Sequence, residues 1–535
     1  MIATTVDAGD GLPLTIPALL RAQAHRHRSR PLLVCDDDVL SYEAAERRSR
    51  ALARRLLAVG VGKGTQVGVL HPNGSEFVVC WLAAARIGAV TVPVSTFSTG
   101  AELRTLLRNA DVEVLLSARE YRSHDYVATL ESVVGDLATL ESVAGELAAP
   151  PLFVPSLPVL RHVYFGEPGF VGSDDSVLDA AEADVAPSDR LVIVHTSGST
   201  SEPKGVIHSH GALIRHLANL NEIRRYTAEE ILFSNSPFFW IGGFAYALLG
   251  TVLAGARLVC SNAPSAAGVL DVLERERPTM VNGYAQSVAH LPDDPTFARR
   301  DLSSIRRGNL YPIMPSDVRP ADPQLRHQML GMTETGSVCL VSDDEGDQPE
   351  HRRGSFGRPA PGFEARVVDP DDGTVCGPGR LGELWLRGPF LMEGYYGRER
   401  LEAFDADGWY HTGDLVLVDA EGFFFFKGRR GDVIKTAGAN VSPSEVEAAI
   451  RAVAGLTAHV VGLDDPARGQ IVAAAVQVPS GHAVDADRLR RRLAERLSAY
   501  KVPRRIVLLA EGEVPTLSSG KLDVTALKER LGAAD

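Results

Sequence analysis

The chain reads as an α/β protein: a large N-terminal domain of mainly parallel sheets with covering helices, followed by a smaller α+β unit. Two observations predict this. The first is strand, helix, strand alternation early in the chain, with Gln66 to Leu70 as a strand, Ser75 to Ile87 as a helix and Ala89 to Val94 as a strand, the mark of a parallel sheet with crossover helices. The second is a run of alternating strands and helices at the C-terminal end: Thr457 to Leu463, Ile471 to Val478, Ala486 to Leu497 and Arg505 to Leu509. That run has the size of a separate domain. At 535 residues the chain is too long for a single core.

Ahead of the first alternation, Pro17 to Leu57 gives a helix, a strand at Leu32 to Cys35, an acidic turn at Asp36 to Asp38, and a second helix with Leu52, Leu56 and Leu57 on its apolar face. Ala128 to Leu147 holds a tandem, ATLESVVGDL then ATLESVAGEL, read as a duplicated surface helix and connector because two copies cannot build a solenoid. Pro237 to Ala256 carries no charge, yet four glycines and a polar SNSP turn before it favour a buried helix over a membrane span.

Composition narrows the function. A net charge of −13 argues against a general nucleic-acid binder, which needs a basic surface. Five scattered cysteines without a CxxC pair give neither a disulfide framework nor a zinc site, and a cytoplasmic location fits best. Lysine is scarce, 7 against 48 arginines, so each one is informative, and Lys204, Lys435 and Lys521 all fall in motifs.

The densest signal is Arg190 to His208, RLVIVHTSGSTSEPKGVIH. An apolar, β-branched strand runs into Thr196, Ser197, Gly198, Ser199 and Thr200, then Lys204, before a helical run from Gly211 to Asn221. Backbone N–H groups and hydroxyls in such a loop can surround phosphate oxygens while the lysine balances charge. The spacing is not GxxxxGK[ST], because Pro203 stands where that motif needs glycine. Just beyond, His208 and His210 could bind metal only with a third ligand, so an ordinary helix start is the reading there.

This stretch resembles the phosphate-binding signature of the adenylate-forming superfamily, which includes acyl-CoA synthetases, firefly luciferase and the adenylation domains of peptide synthetases. The likeness continues in GVLHPNGSEFVVCWLAAARIGAVTVPV, LGMTETG, WYHTGD, GFFFFKGRRGDVIKTAGANVSPSEVE and VPTLSSGKLD, in the expected order. The wording is most like actinobacterial acyl-CoA ligases. The resemblance implies ATP, Mg2+ and coenzyme A, and a large domain (1–430) joined near Gly431 to a mobile C-terminal lid (431–535). Thr196 to Thr200 and Lys204 would hold phosphates. Gly308 would lie beside the adenine, with Leu330, Gly331, Met332 and Thr333 against the nucleotide and Glu334 on the metal. Asp414 and Arg429 would hold the ribose. Lys521 would serve adenylation, with Thr200 and Glu334; Lys435, with Gly438 and Ala439, would serve thioester formation. Trp240, Gly242 and Gly243 would line a pocket for a fatty or bulky polycyclic acid.

The chain departs from the pattern at Ser201 (usually glycine), Leu330 (commonly tyrosine), Gly431 (commonly lysine or aspartate) and Leu517 (threonine). The resemblance therefore leaves three readings open: an acyl-CoA ligase, an enzyme that mainly performs thioesterification on a preformed adenylate, and a stand-alone enzyme loading a carrier protein. A luciferase-like oxygenase and a binding protein without turnover are weaker readings. No nucleic-acid partner is implied, and homodimer formation is left open.

Overall fold

A computed structural model describes residues 11–134, 151–166, 172–196, 203–429, 434–479, 484–510, 513–515 and 522–533. The chain divides into two compact units. One comprises 1–96, 107–195 and 205–428; the other comprises 97–106, 196–204 and 429–535.

The first unit is built on two six-stranded sheets. In one, the order is Arg307–Gly308, Met280–Val281, Ile231–Phe233, Arg257–Cys260, Pro31–Cys35 and Asp38–Ser41. All pairings are parallel except the last, a hairpin that turns at Asp36 with φ 56°. The acidic turn is more than a solvated loop. Asp36 accepts hydrogen bonds from Ser261 Oγ (2.5 Å) and Asn262 N (2.8 Å), and Asp38 accepts from Ser75 N (2.7 Å) and Oγ (2.6 Å).

The other sheet runs Lys204–Ser209, Arg190–Thr196, Val90–Pro93, Gln66–Leu70, Val114–Ser117, His162–Phe165, with parallel pairing through its central strands. Helix Ser75–Arg86 joins the core contributed by both sheets. From Phe77 to Arg86 every residue is buried, the signature of a helix surrounded by protein rather than lying on a surface. Each large apolar side chain buried there contributes ~1.5–3 kcal/mol. Arg86 at its end is fully buried and is balanced by Glu182 (2.7 Å) and Glu46.

Here the structure departs from the sequence reading: the Ser/Thr/Gly loop does not lead straight into a helix. Strand Lys204–Ser209 intervenes, adjacent to Arg190–Thr196, and helix His210–Ile223 follows with Ser209 as its N-cap. The uncharged stretch near 237–256 becomes a π-helix at Gly242–Leu249 continued by a short α-helix, Gly250–Ala254. Among the described residues no helix is long and apolar enough to cross a membrane. The tandem starts in helix Tyr126–Val134, which buries Leu130 and Val133; its second copy lies outside the described residues.

A two-stranded antiparallel pair, Glu120–Tyr121 with His124–Asp125, and two larger antiparallel sheets complete this part. One has the order Leu330–Met332, Ser337–Val341, Arg358–Pro359; the other has Glu364–Val368, Gly382–Arg387, Tyr410–Val418, Phe424–Arg429. In the second unit, Ala439–Val441, Ile434–Thr436, Gly469–Val478, Ala458–Asp465 and Arg505–Ala510 form one five-stranded sheet with its own core, accompanied by helices Pro443–Ala454, Ala486–Ala494 and Val524–Ala533.

Candidate active site

Glu334 sits on a single 3-10 turn, Thr333–Thr335, between strands Leu330–Met332 and Ser337–Val341. Glycine is required on both sides of that turn. A Cβ on Gly331 would lie 2.6 Å from the Ser337 carbonyl, and Gly336 is left-handed (φ 70°) against Leu213. Thr335 Oγ1 accepts the Met332 N–H (3.2 Å) and donates to the Ser337 carbonyl (2.6 Å), tying the turn into the hairpin.

Three groups distant in sequence hold the turn from outside. His208 Nε2 lies 2.7 Å from the Thr333 carbonyl and must carry the proton, since a carbonyl only accepts. Burial lowers the His208 imidazole to about 4, so it is neutral near pH 7. Met392 N–H donates to the Glu334 carbonyl (2.8 Å). Tyr395 Oη donates to Glu334 Oε1 (2.9 Å) and lies 3.3 Å from Tyr410 Oη.

Tyr410 belongs to strand Tyr410–Val418, where alternation sends Tyr410, Thr412 and Asp414 to the buried face. Thr412 Oγ1 donates to the Leu384 carbonyl (2.7 Å) and accepts from Asp414 N (3.0 Å), and Gly413 N–H donates to Glu383 Oε1 (2.8 Å). Cys339 on the Ser337–Val341 strand has its thiol pushed up to about 12 by burial, with the charge of Asp414 adding to the effect. Hydrogen bonds thus run from Glu334 through Tyr395 to Tyr410, which stands four residues before Asp414 on the same strand, although 80 positions of sequence separate Glu334 from Asp414.

A second cluster surrounds the aromatic turn. Trp240 meets Tyr284 edge-on at 5.7 Å and Phe239 at 5.5 Å. A Cβ added at Gly242 would find only Tyr284 Oη at 3.7 Å, so space is open there. At Gly243 it would fall 2.0 Å from the Pro237 carbonyl, so that glycine is explained by backbone packing. Asn73 pins the turn: its Nδ2 donates to the Ser236 carbonyl (3.0 Å) and its Oδ1 accepts from Phe238 N (2.8 Å). Asn73 also borders a cavity of about 430 Å3 shared with His71, Arg119 and Phe165. Gly308 adopts φ 130° and packs where a Cβ would strike the Val281 carbonyl at 1.9 Å.

The remaining expected site residues belong to the second unit or lie outside the described residues. Thr196 ends its strand and Lys204 begins the next, and both belong to the second unit. Arg429 ends strand Phe424–Arg429 and is grouped there too. Lys435 is exposed on Ile434–Thr436, with its backbone N–H on Gln470 Oε1 (3.0 Å). The tight turn beside it is Ala437–Gly438, both with positive φ (49° and 84°), the pattern of a two-residue hairpin loop. Ala439 is on the following strand, not in the turn. Ser197, Gly198, Ser199, Thr200, Gly431 and Lys521 lie outside the described residues.

The sequence reading did not single out Tyr395, Tyr410, His208 or Asn73 for the contacts they make with the Glu334 turn and the aromatic turn. The alternation of Tyr410, Thr412 and Asp414 was available as a signal for one of them. The other contacts join distant segments and leave no local pattern.

The architecture is that of adenylate-forming enzymes. Solved structures with the same fold include o-succinylbenzoate CoA synthetase from Bacillus subtilis (TM-score 0.74, 24% identity, 96% of this chain and 98% of that one) and the amide bond synthetase McbA from Marinactinospora thermotolerans (TM-score 0.75, 24% identity, 96% and 99%). The AMP-binding enzyme family model matches residues 20–396, and the model of the AMP-binding enzyme C-terminal domain matches 445–521. The chain therefore belongs to the AMP-binding enzyme family. Relatives include a feruloyl-CoA synthase from Amycolatopsis sp (31% identity, 92% of this chain and 94% of that one) and an indoleacetate–CoA ligase from Aromatoleum aromaticum (30% identity, 90% and 91%). It is an enzyme of the acid–thiol ligase class, an acyl-CoA ligase that draws on ATP and CoA.

Proposed function

We propose that this enzyme converts a hydrophobic carboxylic acid, with a fatty chain or a bulky ring system, to its CoA thioester through an acyl-adenylate. A carboxylate is a poor electrophile, because a thiolate attacking it would have to expel oxide. Transfer of AMP from ATP to the acid, with loss of pyrophosphate, gives a mixed anhydride from which a thiol displaces AMP. The observation that supports the reading is a pair of buried carboxylates, Glu334 and Asp414, with Glu334 hydrogen-bonded through Tyr395 to Tyr410 on the strand that bears Asp414; in this reading the first faces the cation of a nucleotide and the second its ribose.

The residues fit a Mg2+ ion accompanying the triphosphate. Glu334 Oε2 has no hydrogen-bond donor among the described residues, and a single protein carboxylate suffices when phosphates and water complete the shell. Bound there, the ion would neutralise charge on the phosphate oxygens. Among the described residues no group of three or more His, Cys, Asp and Glu could hold a metal by itself, so the phosphates complete the site in this reading. Thr196 to Thr200 and Lys204 would grip the β and γ phosphates, and Asp414 and Arg429 the ribose hydroxyls. Lys521 would bridge the acid and the α-phosphate, where negative charge grows in the in-line transition state.

In the second half-reaction the 431–535 segment would turn about Gly431, withdrawing Lys521 and presenting Lys435 with the Gly438–Ala439 backbone to the pantetheine arm. For the acid, the open space at Gly242, next to the Tyr284 hydroxyl and close in sequence to Trp240, supports a large apolar group. Relatives named for feruloyl, indoleacetate and medium-chain acyl substrates are consistent with a hydrophobic acid. A CoA-consumption screen over fatty acids of graded length, aromatic acids and polycyclic acids tests this. Turnover with small polar acids alone would overturn it.

A further inference from the structure

We infer that Tyr395 is a positioning residue for the Glu334 carboxylate, and that Tyr410 backs it, so that the metal-facing group and the strand bearing Asp414 move as one. This rests on the reading of Glu334 as the metal-facing carboxylate. Glu334 is 7% exposed, and its two oxygens differ. Oε1 accepts the Tyr395 hydroxyl at 2.9 Å, while Oε2 has no donor among the described residues. One hydrogen bond to one oxygen fixes rotation of a carboxylate that stands on a single turn, and it directs the free oxygen outward.

The donor type matters. A phenol orients the carboxylate without cancelling its charge, whereas lysine or arginine would compete with a cation for it. Tyr395 has one hydroxyl proton and gives it to Glu334. The 3.3 Å contact with Tyr410 therefore runs from Tyr410 as donor to Tyr395 as acceptor. Tyr410 shares the inward face of its strand with Asp414, four residues on. A shift of that strand is felt at Glu334 through two hydroxyl groups.

The test is an electron paramagnetic resonance titration of Mn2+ into the full-length enzyme with α,β-methylene-ATP, for wild type, Tyr395→Phe, Tyr410→Phe and Glu334→Gln. A hydrogen bond to a charged group predicts about a tenfold weakening of Mn2+ binding in Tyr395→Phe and a smaller loss in Tyr410→Phe. Metal-free nucleotide binding stays unchanged, and the melting temperature of each variant is recorded alongside, so that a loss of fold is told apart from a loss of metal. Wild-type Mn2+ affinity in Tyr395→Phe, with Glu334→Gln impaired, overturns the positioning role. Wild-type affinity in Glu334→Gln overturns the underlying assignment instead. Should Tyr395→Phe not fold, Tyr410→Phe decides: wild-type affinity there refutes the coupling.

Discussion

Lys501 Nζ lies 2.9 Å from Glu102 Oε1 and 2.8 Å from Glu445 Oε1, so a single ammonium serves two carboxylates within the second unit. Ser498 and Thr99 complete the shell of Glu102 with hydrogen bonds of 2.7 Å from Ser498 Oγ and 2.9 Å from Thr99 N. The side chains of all three charged residues are at most 16% exposed, so desolvation is substantial and loss of the cation leaves two charges stranded. Lys501→Met is expected to destabilise the second unit by about 3–5 kcal/mol. Glu102→Gln should cost less, because Glu445 still pairs with the lysine. Chemical denaturation of the two variants checks the order.

The same cluster has a pH signature. Burial would raise the Glu102 carboxyl, but Lys501 and the bonds from Ser498 and Thr99 outweigh it and hold the pKa below its ordinary value. Burial would lower the Lys501 ammonium, but Tyr500, Glu102 and Glu445 hold it well above its ordinary value. The carboxylate contribution is therefore present above the unfolded carboxyl pKa and lost as pH falls through the depressed one. The lysine contribution is present below the unfolded lysine pKa and lost as pH rises through the raised one. Stability of wild type minus Lys501→Met, followed by denaturant titration, should be flat through neutrality and shrink at both extremes.

Buried histidines set a second acid limit in the first unit. Burial lowers His195 and His208 to about 4 and His216 to about 3, with the neighbouring His208 adding to the effect at His216. The unfolded chain takes up these protons below about pH 6.5, while the folded chain resists until about 4 or lower, so stability falls as pH drops through that window. His216 stacks on Phe390 at 5.6 Å in an apolar setting, so His216→Leu should flatten the slope of stability against pH between 6.5 and 4. An unchanged slope would remove His216 from the account.

Neighbouring glycines should behave differently. Gly243→Ala drives a Cβ into the Pro237 carbonyl, and the aromatic turn must shift, which is expected to cost about 1–3 kcal/mol as overpacking does. Gly242→Ala meets only Tyr284 Oη at 3.7 Å, so the fold should tolerate it while kcat/KM moves toward smaller acids. Thermal melts combined with an acid panel separate the two.

Much of the fold was legible because its signals are local. The Ser75–Arg86 helix and the Gln66–Leu70 strand announce themselves through apolar runs of the right length, and the alternating C-terminal elements do so too. Strand Lys204–Ser209 was hidden because its short apolar pair, Val206 and Ile207, sits between a polar loop and a strong helix. The grouping of Phe97–Leu106 with the C-terminal unit was invisible, since the Glu102 to Lys501 pair spans 399 positions. Glu334 and Asp414 could be named from motif wording. The Tyr395 and Tyr410 hydroxyls that join them could not, because that link exists only after the chain has folded.

The central claim is that one enzyme makes an acyl-adenylate and then a thioester, with different lysines serving the two steps. The most direct measurement is ATP–pyrophosphate exchange alongside thioester formation from supplied acyl-adenylate, in Lys521→Ala and Lys435→Ala. The account predicts that Lys521→Ala loses exchange and keeps thioester formation, with the reverse for Lys435→Ala; equal loss of both half-reactions in each variant would contradict it.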